Sequence, residues 1–149
     1  MPQSVFDTLG NKPPAAELVG WELIEFDKSR KWIKIAFLGR EDFTNPTGFV
    51  QGGFLVAMLD ELMGSAIIMS TDAASLATTI SINVDFIRPS PVGRIVGEGE
   101  VTNLGKSIAF VEGKLFDPDQ VLLARATASC KLIPMSPDFV INANLPDTA

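Results

Sequence analysis

A chain of 149 residues that is 46% hydrophobic has the size and composition of a single globular domain with its own core. A net charge of −6 with no basic run argues against nucleic acid and against anionic membrane surfaces as partners. The absence of histidine excludes Ser-His-Asp and Cys-His nucleophile systems, histidine metal sites and histidine-carboxylate dyads, so general acid–base chemistry falls to carboxylates.

The single cysteine, Cys130, excludes an internal disulfide and fits a reducing compartment. The first residues lack the basic start and apolar stretch of a signal peptide, so a cytoplasmic location is expected. One domain is expected over residues 1–149, with an N-terminal extension at 1–18 and an irregular tail at 134–149. Residues 3–9 leave a short helix and an irregular segment both open.

Asn11-Lys-Pro-Pro14 breaks the chain before Trp21–Phe26 and Lys31–Leu38, two predicted strands joined by a hairpin at Asp27–Arg30. Gly39–Gly48 reads as a loop, with Asn45-Pro46 and Gly48 as turn formers. A helix is predicted from near Gly52 to Ser70, a rod of roughly 25–28 Å that is apolar on nearly every face. It carries Asp60 and Glu61 side by side. Burying a carboxylate costs several kcal/mol unless it is paired, hydrogen-bonded or used, so the pair needs a reason. Two charges near the centre also argue against a membrane span.

The remainder reads as strands. Thr79–Ile87 alternates cleanly, with Ile80, Ile82, Val84 and Phe86 on one face and Thr79, Ser81, Asn83 and Asp85 on the other. Arg94–Asn103, Ser107–Phe116 and Val121–Leu132 follow, spaced for an antiparallel meander. Leu122, Ala124, Ala126, Ala128 and Cys130 make a face small enough for a helix to approach. The order predicts an α+β fold in which a curved antiparallel sheet of five or six strands wraps one long helix. Open edges and uncovered surface predict a second copy.

Asn45, then Gln51-Gly52-Gly53, then Asp60, then Phe86-Ile-Arg-Pro89 and Gly105-Lys106 together resemble the hotdog-fold acyl-CoA thioesterases. The nearest branch is the phenylacetate-pathway, PaaI-like type, in the superfamily that includes enzymes acting on 4-hydroxybenzoyl-CoA and fatty acyl-CoA. The resemblance runs from about Trp21 to Leu132. One position departs: the family usually has His-Gly-Gly where this chain has Gln51-Gly52-Gly53.

The resemblance implies hydrolysis of an acyl-CoA, with coenzyme A as part of the substrate and no metal or redox cofactor. Asp60 becomes the general base that activates water, or a nucleophile forming a mixed anhydride. Desolvation in the apolar run is expected to make it more basic. Glu61, pointing about 100° away around the helix, is the fallback base.

Gly53 is expected to offer an unpaired N–H to the thioester oxygen at the positive end of the helix. Asn45 hydrogen-bonds the carbonyl or the water, and Thr79, or Thr78 in its place, holds the water. Gln51, Gly52, Arg88, Pro89, Gly105, Lys106 and Lys131 are expected to contact the substrate, the cations meeting coenzyme A phosphates. Phe54, Met58, Met63 and Phe86 are candidates for lining an aromatic or medium-chain acyl pocket.

Gly53 and Asp60 share a helix face but lie about 10 Å apart along the axis, whereas a reacting carbonyl should lie about 3 Å from both donor and base. Two antiparallel helices solve this, each chain giving one half of each site in a homodimer or a dimer of dimers. The rival from another class is a non-catalytic acyl-CoA-binding module, which would need no helix carboxylate.

Overall fold

A computed structural model describes residues 12–136. The sequence expectations for residues 3–9 and for the tail beyond 136 lie outside the described residues. A short helix α1 (Pro14–Leu18) leads into β1 (Glu22–Asp27) and β2 (Trp32–Gly39). A 3-10 turn (Glu41–Phe43) precedes helix α2 (Gly52–Ser70). Four strands follow: β3 (Ser75–Phe86), β4 (Gly93–Leu104), β5 (Ile108–Phe116) and β6 (Leu122–Pro134).

All six strands form one antiparallel sheet in the order β1-β2-β4-β5-β6-β3, with α2 packed across it, the hotdog architecture. The β4-β5-β6 meander is as expected, but β3 does not pair with β4. It crosses to the far edge and pairs with β6, while β2 pairs with β4. Connecting α2 through β3 this way keeps the helix inside the curve of the sheet and leaves β1 and β3 as edges.

By length and composition α2 could cross a bilayer, yet Leu55, Met58, Leu59, Leu62, Met63, Ala66 and Ile67 are buried. They pack among Ile33, Ile35, Phe37, Ile95, Val111, Leu115 and Leu123 as one core. Three glycines on the sheet let α2 sit this low. A Cβ at Gly97 would lie 2.9 Å from Leu62 Cδ2, at Gly99 3.2 Å from Leu62 Cγ, and at Gly113 3.1 Å from Met63 Cγ. The small face of β6, Ala124, Ala126, Ala128 and Cys130, is buried beside them. On the opposite side of α2, Gly53 and Asp60 are exposed and Val56, Ala57, Gly64 and Ile68 are half-buried. A single chain therefore covers the helix on one side only, short of the all-round cover its apolar sequence called for.

Strand β3 departs from plain alternation. Its register against β6 slips between Thr79 and Ser81, so that Thr79 faces Cys130 and Ile82 faces Ala128. The extra residue, Ile80, is exposed. A bulge of this kind moves every residue before it to the other face. Thr79, expected on the outer face, thereby joins Ile82 and Val84 on the helix side.

Candidate active site

The stretch before α2 is held by its own side chains. Asn45 Oδ1 accepts from Thr47 N–H at 3.0 Å, from Thr47 Oγ1 at 2.6 Å and from Phe49 N–H at 3.3 Å. This is the Asx-type turn that Asn-Pro-Thr favours. With three donors on its oxygen, the carboxamide has only Nδ2 left to offer a ligand, and it can only donate. Gly48, at φ 84, closes the turn in a conformation open to glycine. Val50 N–H to Ser90 O and Gln51 N–H to Phe43 O anchor the loop, and Phe43 stacks on Phe54 with ring centroids 4.0 Å apart.

The start of α2 differs from expectation. Gly53 N–H is not free: it donates to Gln51 Oε1 at 2.9 Å, so Gln51 caps the helix with its own side chain. Gly52 N–H has no hydrogen-bond partner among the described residues. The open donor at the positive end of the helix is therefore Gly52, one residue earlier than predicted. A groove of about 540 Å³ lies against it, lined by Asn45, Gly52, Leu55, Phe86 and Arg88 among others. The Phe86 ring packs over Gly52, where a Cβ would sit 3.1 Å from its Cζ.

Asp60 lies two turns further along, on the exposed side of α2, and accepts from Thr79 Oγ1 at 2.7 Å. The bulge at Ile80 makes this contact possible. Cys130 Sγ stands 3.9 Å from the same Thr79 oxygen, and burial pushes its thiol up, holding it protonated. Glu61 is half-buried, and burial first, then the adjacent Asp60 charge, raises its pKa.

Of the remaining candidates two line the groove, and the others lie at the β4–β5 turn and on β6. Arg88 and Pro89 line the groove, with Arg88 Nη1 donating to Leu122 O at 3.2 Å. Lys131 is the cross-strand partner of Thr78, next to Thr79, and Ser107, beside Lys106, accepts from Leu132 N–H at 2.8 Å. Both lysines are exposed and make no ion pair among the described residues. Gly105 is explained by its turn, since a Cβ there would lie 2.7 Å from Ile108 O. Of the four predicted pocket residues only Phe86 lines the groove. Met58 and Met63 are core, and Phe54 is held in its stack with Phe43. Phe49, Leu55 and Ile87 form the apolar wall instead. Among the described residues no cluster of three or more Asp, Glu or Cys side chains gathers as for a metal ion.

One chain thus carries two half-sites: hydrogen-bond donors at Asn45 and Gly52 on an apolar groove, and a carboxylate–hydroxyl pair at Asp60 and Thr79. Residues 47–124, over half the chain, match the thioesterase superfamily. The chain belongs to that superfamily. The phenylacetic acid degradation-related protein of Ralstonia eutropha JMP134 is 30% identical, covers 87% of this chain and 99% of its own, and superposes with a TM-score of 0.78.

A Saccharolobus solfataricus protein that bears a provisional esterase name is 29% identical over 108 residues, 72% of this chain and 75% of that one. A Streptococcus mutans UA159 protein solved with acetyl-CoA bound shares the fold at 16% identity, with a TM-score of 0.68 over 76% of this chain and 89% of its own. Membership in the thioesterase superfamily makes hydrolysis the chemistry against which the two half-sites are read.

Proposed function

We propose that this protein hydrolyses an acyl-CoA to the free acid and coenzyme A, working as a homodimer or a dimer of dimers whose sites are shared between subunits. The observation that carries the reading is the division of one helix into a donor end and a carboxylate. Gly52 and Asp60 are eight residues apart, about 12 Å along the axis, too far to act on one carbonyl. An antiparallel second copy of α2 brings the donor end of one chain to the carboxylate of the other. The acetyl-CoA bound to the Streptococcus mutans relative supports a coenzyme A thioester as ligand.

In this reading Gly52 N–H and Asn45 Nδ2 donate to the thioester oxygen and stabilise the negative charge that develops there. The Thr79 hydroxyl donates its hydrogen bond to Asp60 Oδ1, so its oxygen is left to accept from the attacking water. Water oxygen bonds to the carbonyl carbon as its proton passes to Asp60. The tetrahedral intermediate then collapses, the C–S bond breaks, and the departing thiolate takes up that proton. Attack by Asp60 itself, through a mixed anhydride, uses the same constellation.

Arg88, Lys106 and Lys131 are the cations proposed for the coenzyme A phosphates, and Phe49, Leu55, Phe86 and Ile87 form the acyl wall. No metal or redox cofactor is needed, and a cytoplasmic setting is part of the proposal.

The test is thiol release over a panel of aromatic and aliphatic acyl-CoAs. Asp60→Asn is expected to lower kcat by about a hundredfold or more, the scale of a lost general base, with the melting temperature preserved. Full activity in that variant would remove Asp60 from the mechanism. Binding without thiol release by the wild type would favour the acyl-CoA-binding module.

A further inference from the structure

The geometry points to Gln51 as a positioning residue that decides which of two adjacent helix N–H groups receives the substrate carbonyl, an inference that rests on the thioesterase reading. Glutamine is not among the preferred N-caps, which are Ser, Thr, Asp and Asn. Its longer side chain has to fold back to reach the helix, and here it does: Oε1 accepts from Gly53 N–H at 2.9 Å. The two residues form a unit. A Cβ at residue 53 would stand 2.7 Å from Gln51 Oε1, so the cap seats because residue 53 is glycine.

The consequence is a choice between donors. Residues 52 and 53 both present N–H groups that the helix leaves unpaired, set about 100° apart around the helix axis. Gln51 closes the second and leaves the first open to the groove that holds Asn45 and Phe86. A carbonyl seated at Gly52 N–H shares the groove with Asn45 Nδ2. One drawn to Gly53 would turn toward the exposed face of α2 and away from that second donor. Gln51 also has no proton to gain or lose near neutrality, so the cap is the same at every working pH.

Selective 15N-glycine labelling gives a direct readout, with twelve glycines in the chain. The probe is an acyl-CoA ketone analogue in which a CH2 separates sulfur from the carbonyl, so that it cannot be hydrolysed. In the wild type the Gly52 amide signal should move on binding while Gly53 stays in place; in Gln51→Ala both should move. Kinetics supply a second readout on the best substrate of the panel.

Gln51→Ala should lose about tenfold to a hundredfold in kcat, the scale of an ångström-level misplacement. Gln51→His should keep its rate at pH 8 and lose it through about pH 6.5, because an imidazolium cannot accept from Gly53 N–H. A wild-type Gly53 signal that shifts as much as Gly52, or neither signal shifting, overturns the proposal. So do wild-type kcat in Gln51→Ala and an unchanged pH profile in Gln51→His. Thiol release by the wild type judges the thioesterase reading separately, since the amide shifts need binding and no turnover.

Discussion

The Glu61 carboxylate is harder to ionise in the folded chain than in the unfolded one, because burial and the neighbouring Asp60 charge both raise its pKa above the ordinary 4.5. Between the unfolded and the raised folded value, the folded state binds more protons. Stability therefore falls as pH rises through that window and stays reduced above it. Glu61→Gln removes the penalty: the variant should match the wild type near pH 4 and exceed it at pH 7. Urea unfolding midpoints from pH 4 to 8 check this, and parallel curves for the two proteins would refute it. The same variant separates the two carboxylates as bases. With Asp60 alone bonded to Thr79, Glu61→Gln should keep its turnover while Asp60→Asn loses it.

At the scale of elements, close approach between α2 and the sheet depends on missing side chains. Leu62 and Phe37 are buried, and a Cβ at Gly97 would meet Leu62 Cδ2 at 2.9 Å and Phe37 Cε2 at 3.2 Å. Gly97→Val should cost about 1–3 kcal/mol as an overpacked core, measured by urea denaturation. The cost should shrink in a Leu62→Ala background, where the opposing side chain is gone; an equal cost in both would reject the steric account.

Sequence pattern reached the elements that local chemistry specifies. Gly52–Ser70 is the helix bounds it implied, and the turn formers between the last three strands mark the β4-β5-β6 meander. The Asn-Pro-Thr turn was equally readable, though not its effect of leaving Asn45 a pure donor. What escaped was set by distant partners. The crossing of β3 to β6 is a long-range pairing, and the bulge sits at Ile80, a residue at home in any regular strand. Local alternation therefore put Thr79 on the wrong face. Gln51 as a cap escaped because capping preference points to shorter side chains, and the free N–H was misplaced by one residue as a result. The glycines of β4 and β5 offered a signal that went unused: isolated glycines within strands mark close backbone approach.

For the whole molecule, one chain leaves unfinished the surface that carries the chemistry. The uncovered side of α2 presents Gly53, Ala57, Asp60 and Gly64 in line, and β3 leaves its outer edge unpaired. Among the described residues nothing beyond the helix's own backbone lies within 4 Å of a Cβ built at Gly64, although glycine inside a helix costs roughly 1 kcal/mol relative to alanine. A second α2 packed closely along this line gives that glycine a purpose and brings the half-sites together. Complementation tests the arrangement. Asp60→Asn subunits keep the donor half, and Asn45→Ala subunits keep the carboxylate half; each homodimer should be inactive. After mixing and subunit exchange, a mixed dimer pairs one intact donor half with one intact carboxylate half and combines both defects in its other site. Equal mixing should recover roughly a quarter of wild-type activity, since about half the dimers are mixed and each has one working site of two. Exchange is verified by native mass spectrometry on subunits with tags of different mass. Sites built within one chain would recover nothing once mixed dimers are seen, and that result would dismantle the shared-site reading while leaving the fold untouched.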